Sequence, residues 1–181
     1  MIARRLYDDK FKNEIIGIVG SKKMIYEALK EIYFPFIDIL VESTDDADTD
    51  EVTFDFYELG SVKFNFNFKH IKSPELTNNI RLENIKHVET KVVEKCQDSN
   101  RINKEIIDNM MRRSVLYTVC MKGMIKSVLQ EKIFPYANIH FNEISDSESH
   151  CIIQFGNFRP IKFTFNFEPR NNKNYLLKQI S

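Results

Sequence analysis

The stretch VKFNFNFKH, residues 62–70, returns as IKFTFNFEP at residues 161–169. Three phenylalanines alternating with polar residues suit one backbone form, a β-strand, whose successive side chains point to opposite faces. One face is then wholly aromatic and has to be buried, which stabilises the fold by roughly 1.5–3 kcal/mol per Phe. The recurrence of the line constrains the fold further. Lys22–Glu42 laid over Lys122–Asn142 gives eight identities in 21 positions at an offset of 100: Lys22, Met24, Ile25, Leu29, Glu31, Phe34, Pro35 and Ile39. Val62–Phe68 over Ile161–Phe167 gives five in seven at an offset of 99. One residue is therefore lost between the blocks, and the acidic loop Ser43–Glu51 is the place a turn tolerates it. The chain reads as an internal duplication.

Each copy repeats one order of elements. Met24, Ile25, Ala28, Leu29 and Ile32 follow the spacing of an amphipathic helix, which Pro35 stops. Ile37, Ile39 and Val41 alternate as a strand, as do Val52, Phe54 and Phe56, and then Val62, Phe64, Phe66 and Phe68. In the second copy the helix runs through Met124, Ile125, Val128 and Leu129, and strands start near Asn138, Cys151 and Ile161. Between the copies, Ser73-Pro74-Glu75 reads as a helix start, with Leu76, Ile80, Ile85, Val88, Val92 and Cys96 along the helix it opens. A break at residues 98–100 precedes a long helix from Arg101 toward Lys132. Ahead of the first copy, EIIGIVGSKK carries Gly17 and Gly20, which allow a kink or a strand. The expected class is α+β. It is a duplicated helix plus three-stranded antiparallel meander, with helices on the aromatic face and extra helices between the copies. The units are 1–70 and 110–181, joined by a helical connector at 71–109. A unit of this size is marginal alone, so the two are expected to form one pseudo-symmetric globule.

Charge narrows the function classes. The whole chain balances 26 basic against 26 acidic residues, so no overall field draws it to nucleic acid or anionic membrane. Residues 1–70 hold 9 Lys/Arg and 14 Asp/Glu, a net of −5, and residues 110–181 hold 10 and 5, a net of +5. Such polarity is either solvated surface or a basis for attraction between halves or head-to-tail self-association, weakened by salt. Cys96, Cys120 and Cys151 are odd in number and widely spaced, which suits reduced intracellular thiols. The first residues lack the apolar region of a signal peptide, and no apolar run is long enough for a membrane span. The expectation is a cytoplasmic or nuclear protein.

No sequence pattern here specifies catalysis. Nucleophile-elbow, P-loop and dinucleotide signatures are missing. Asp46, Asp48 and Asp50 sit at positions 1, 3 and 5 of an EF-hand-like spacing, but Glu51 stands where the loop needs glycine and Tyr57 where it needs glutamate. His140 falls opposite Gln154 when the second hairpin is folded about Ser147, several residues from His150, so a shared metal is not expected. Neither a metal nor a cofactor is called for. The order helix, three strands, helix also belongs to double-stranded RNA-binding domains, and EPRNNKNYLLK would supply a basic start to the last helix.

The segment EALKEIYFP, with the alternating strand, acidic turn and further strands after it, resembles an RWD-type domain, and LQEKIFPYANIHF is similar. The resemblance covers about two thirds of the chain as a tandem pair and implies a protein–protein adaptor. The leading expectation is thus a non-enzymatic interaction module of a larger assembly, binding a protein partner or itself. A nucleic-acid binder using the basic second half is the alternative, and an enzyme with an atypical site between the repeats a third reading. The phenylalanines being core, the candidate partner-binding residues are those between them: Lys63, Asn65 and Asn67, and Lys162, Thr164 and Asn166.

Overall fold

A computed structural model describes residues 12, 14–72, 79–94, 100–113 and 115–181. The chain divides into two compact units, the first ending at Ile102 and the second running from Asn103 to Ser181. Each is an α+β unit with a five-stranded antiparallel sheet.

In unit 1 the order is β1 (Val19–Gly20), α1 (Lys22–Ala28), β2 (Asp38–Ser43), β3 (Thr49–Asp55), β4 (Gly60–His70) and β5 (Ile80–Val92). The sheet runs β1-β5-β4-β3-β2. Next comes α2 (Arg101–Arg112), whose first two residues belong to unit 1. Arg101 lies over the Tyr57 ring at 4.2 Å and bonds Asp38 at 3.1 Å, while the Glu58 carboxylate accepts from the Ile102 N–H. Unit 2 continues with β6 (Val119–Cys120), α3 (Lys122–Val128), β7 (Asn138–Glu143), β8 (Glu148–Gln154), β9 (Ile161–Pro169) and β10 (Tyr175–Ile180), in sheet order β6-β10-β9-β8-β7. The two sheets have the same topology strand for strand.

The duplication is legible in the register. Asp38 faces Asp55 and Ser43 faces Asp50 in one hairpin; Asn138 faces Gln154 and Glu143 faces Ser149 in the other. The lost residue therefore lies in the β7–β8 turn. Both helices widen into a π-type turn, Leu29–Tyr33 and Leu129–Ile133, closed in each copy by a 2.8 Å bond from the Phe34 or Phe134 N–H to the Leu29 or Leu129 carbonyl. The prolines that follow prevent continuation.

The aromatic rows are core. Phe64, Phe66 and Phe68, and Phe163, Phe165 and Phe167, are each at most 5% exposed. Phe54 meets Phe64 edge-on at 5.6 Å, Phe34 meets Phe54 at 5.0 Å, and Tyr26 of α1 lies 6.2 Å from both Phe66 and Phe68. In unit 2, Ile125 and Leu129 are buried and Phe141 packs edge-on against Phe165.

Three expectations need correcting. The connector is not helical over 80–92: those residues form β5, a strand of 13 residues. Register shifts opposite Asn67/Phe68 and Lys63/Phe64 break the two-residue period. Ile80, Leu82 and Ile85 are buried, and that bulged spacing imitates a helical one. The helix from Arg101 stops at Arg112 rather than reaching Lys132; the chain then turns, with Tyr117 left-handed (φ 63°) and donating its N–H to the Leu177 carbonyl. The segment EPRNNKNYLLK opens no helix but yields β10, so each meander has four long strands, not three. The helix start at Ser73–Glu75, the break residues Asp98 and Ser99, and Cys96 lie outside the described residues.

Candidate interaction surfaces

The six residues between the phenylalanines sit, three in each unit, on the sheet face opposite the core. In unit 1, Lys63 and Asn67 are engaged by their neighbours. Lys63 donates to Glu51 at 3.0 Å and lies 3.9 Å from Glu42; the bond and charge of Glu51 push its pKa up. The Asn67 amide donates to Thr49 Oγ1 at 2.8 Å, and Asn65 Oδ1 is enclosed without a hydrogen-bond partner among the described residues. These are cross-strand pairs typical of a solvated sheet face. In unit 2 the same positions diverge. Lys162 is exposed, Thr164 exchanges backbone bonds with Ser181, and Thr164 faces His150 where Asn65 faces Glu51.

His140 faces Ile152, not Gln154, since the hairpin folds about Asp146 rather than Ser147. His150 faces Asn142 and bonds Glu148 at 3.0 Å, which sets the two histidines diagonally on one face. Among the described residues no group of three His, Cys, Asp or Glu side chains is placed to hold a metal. The acidic loop disperses its carboxylates. Asp46 accepts from the Asp48 N–H and Thr49 Oγ1, which hold its carboxyl below the usual range; Asp48 reaches His70; Asp50 turns inward.

Asp50 is 2% exposed and bonds Lys22 Nζ at 2.8 Å and the Tyr26 hydroxyl at 2.7 Å. Burial, with the bond and charge of Asp50 added, raises the Tyr26 hydroxyl far above the ordinary tyrosine range. At the matching place in unit 2, Ser149 replaces Asp50 and Lys126 replaces Tyr26. Lys122, 5% exposed, instead donates to the Ser145 carbonyl at 2.7 Å and lies over the rings of Phe167 (5.2 Å) and Tyr175 (4.6 Å).

The sharpest divergence surrounds β6 and α3. Tyr117 is the counterpart of Gly17: each donates its N–H to the leucine carbonyl of the neighbouring strand, Leu177 or Leu82, at 2.8 or 2.7 Å, and each has a positive φ. The left-handed conformation suits glycine and costs other residues about 1–2 kcal/mol, yet unit 2 places there a tyrosine that is 70% exposed. Ser21 caps α1 by accepting the Met24 N–H at 3.2 Å; its counterpart Met121 has no side-chain cap to offer, leaves the Met124 N–H to its own carbonyl at 3.0 Å, and is 53% exposed. Gly20 becomes Cys120 and Ala28 becomes Val128. Met121, Cys120, Val128 and Met124, with both methionines more than half exposed, form an apolar patch on the helix side of β6. Inside it lies a cleft of about 220 Å³ lined by Val115, Thr118, Cys120, Met124, Ile125 and Val128, with Arg113 at its margin. Sequence comparison of the copies already holds these substitutions. What it lacks is the left-handed backbone at 117 and the loss of the side-chain cap at 121, which make the exchange unfavourable for the fold alone.

No described helix is long and apolar enough to cross a membrane. Comparison with protein-family models, with curated proteins and with solved structures finds no match for the chain.

Proposed function

We propose that the protein is a non-enzymatic interaction module whose partner-binding surface is the β6–α3 patch of unit 2. The single observation that carries this reading is the replacement of a turn glycine by an exposed, left-handed tyrosine shortly before a helix whose serine cap has become an exposed methionine. A residue held in an unfavourable conformation while presenting apolar surface is selected for something other than stability. Contiguous exposed apolar surface is what protein interfaces use for their cores, with aromatic and methionine side chains enriched. Unit 1 also exposes Val19 and Met24, but with glycine, a serine cap and alanine at the places of Tyr117, Met121 and Val128 it serves as the unspecialised twin.

The test is a pull-down with the full chain under native conditions and nuclease treatment, run beside Met124→Asp. Met124 is half exposed in the first turn of α3, where an acidic residue suits the helix, so the variant is expected to keep the wild-type far-ultraviolet spectrum. A stoichiometric protein partner that survives nuclease and disappears with Met124→Asp is expected. Recovery of nucleic acid alone, or of a protein partner that Met124→Asp retains, would overturn the reading.

A further inference from the structure

The patch surrounds an open sheet edge, and the edge has a defined hydrogen-bonding state. β6 is the outermost strand of its sheet, paired with β10 on one side and with nothing on the other among the described residues. Leu177 directs both backbone groups to the β6 side, bonding Tyr117 and Thr118. Backbone groups in an antiparallel ladder alternate in direction. Tyr175, two residues before Leu177, therefore also turns toward β6, where it faces Cys120, and Val119, opposite Leu176, turns its N–H and C=O to the open side.

Two grooves flank this edge, one on each face of the sheet. The apolar cleft of Cys120, Met124 and Val128 lies on the helix side. On the other, Val119 borders an open groove with Pro169, Arg170, Asn171, Asn172 and Asn174. The guanidinium of Arg170, half exposed, already binds Glu168 at 2.9 Å, and the asparagines add amide donors. Residues 110–181 carry a net charge of +5. An added strand sends alternate side chains to the two faces, so the grooves select for alternation: apolar toward the helix, acidic toward Arg170.

We propose that β6 accepts an extended segment of a partner protein as a sixth strand, pairing through the Val119 backbone, with alternate apolar and acidic side chains filling the two grooves. Strand addition of this kind draws its affinity from main-chain bonds and its specificity from alternate side-chain sites. This inference rests on the β6–α3 patch being the partner surface, and specifies how it binds. In unit 1 the corresponding edge, Val19–Gly20, has glycine where Cys120 helps line the cleft, which confines strand addition to unit 2.

The probe is a fluorescein-labelled peptide of four Val-Glu repeats, titrated against the full chain by anisotropy, with four Val-Lys repeats as control. Saturable binding is expected, at least about tenfold weaker for the lysine peptide and weakened by salt. Peptide binding should slow hydrogen exchange of the Val119 amide in the wild-type chain. Val119→Pro removes that amide at an edge position where proline is tolerated, and should abolish peptide binding while leaving the far-ultraviolet spectrum unchanged. If the variant misfolds, the exchange measurement on wild type decides. Absence of saturable binding, equal binding of both peptides, or an unprotected Val119 amide in the saturated complex would each overturn strand addition. A pull-down partner lost with Met124→Asp but kept with Val119→Pro would sink strand addition alone and leave the proposed function standing.

Discussion

The duplication supplies its own control for the buried charge of unit 1. Asp50→Ser makes that unit resemble unit 2 at one position, and the consequence can be worked from the two geometries. The aspartate side chain is 3% exposed and bonds Lys22 at 2.8 Å and Tyr26 at 2.7 Å. Breaking a buried pair by removing one partner costs about 3–5 kcal/mol. Lys22 is 34% exposed and keeps the Ala47 carbonyl at 3.1 Å, so part of its charge returns to water and the loss falls to about 3 kcal/mol. Lys122 tolerates the lack of a carboxylate because Tyr175 gives it a second ring; in unit 1 that place is held by Ile80. Asp50→Ser combined with Ile80→Tyr should therefore recover about 0.5–2 kcal/mol through the cation–π contact. Urea unfolding followed by far-ultraviolet circular dichroism at pH 7 measures both, fitting two transitions if the units melt separately. An Asp50→Ser variant within about 0.5 kcal/mol of wild type, below the range for losing bonds to a charged group, would refute the view that the carboxylate anchors unit 1.

Phe66→Ala should cost about 3–5 kcal/mol in the same assay, because the ring is fully buried against Phe54 and Tyr26; Phe66→Asp should leave no cooperative transition, and an unchanged melting temperature in either would remove the aromatic row from the core. Burial pushes the Cys151 thiol up to about 12, whereas Cys120 is less buried and its thiol less raised. A thiol reagent at pH 8, read residue by residue by mass spectrometry, should modify Cys120 long before Cys151. The raised Tyr26 hydroxyl gives a sign for alkaline pH. Its folded pKa lies above the unfolded value near 10, so the stability it contributes is complete below about pH 10. Above that the unfolded chain loses the proton first, and stability should fall by up to about 1.4 kcal/mol per pH unit. Tyr26→Phe should flatten that slope, and a variant with the wild-type slope would contradict it.

How far the sequence could be read depended on whether its periodicities were local. The alternation in Val62–Phe68 and the i, i+3, i+4 spacing from Met24 to Leu29 are set by the residues themselves, so the meander strands and both helices were legible. β5 was not, because its bulges are imposed by its pairing with β4, and a strand with two register shifts has the apolar spacing of a helix. Nor was β10: Tyr175–Ile180 follows a loop with left-handed Asn172 and Lys173, and it becomes a strand because β9 offers it an edge. The candidate surface was half legible. The reasoning that function should lie where the copies diverge led to Asn65 against Thr164, both on the sheet face opposite the core. The divergence at residues 117–128 carried the stronger signal, but only backbone angles and caps show that it opposes stability.

That opposition separates scaffold from function in a duplicated chain. After duplication, each position can drift wherever the fold permits, so difference alone says little. Asp50 against Ser149 is a difference of that neutral kind, since both lysines end in a satisfied site by different means. Unit 1 also holds a left-handed turn without glycine: Tyr57 stands there with φ 54°, where unit 2 has Gly156 with φ 56°. Yet Tyr57 lies beneath the Arg101 guanidinium and is partly buried, so its strain is offset within its own unit. Tyr117 is the same exchange in the opposite direction with 70% of the residue left in solvent. These two left-handed tyrosines, one covered and one open, differ in what completes them. The fold completes the first, and on the proposed reading a partner strand completes the second.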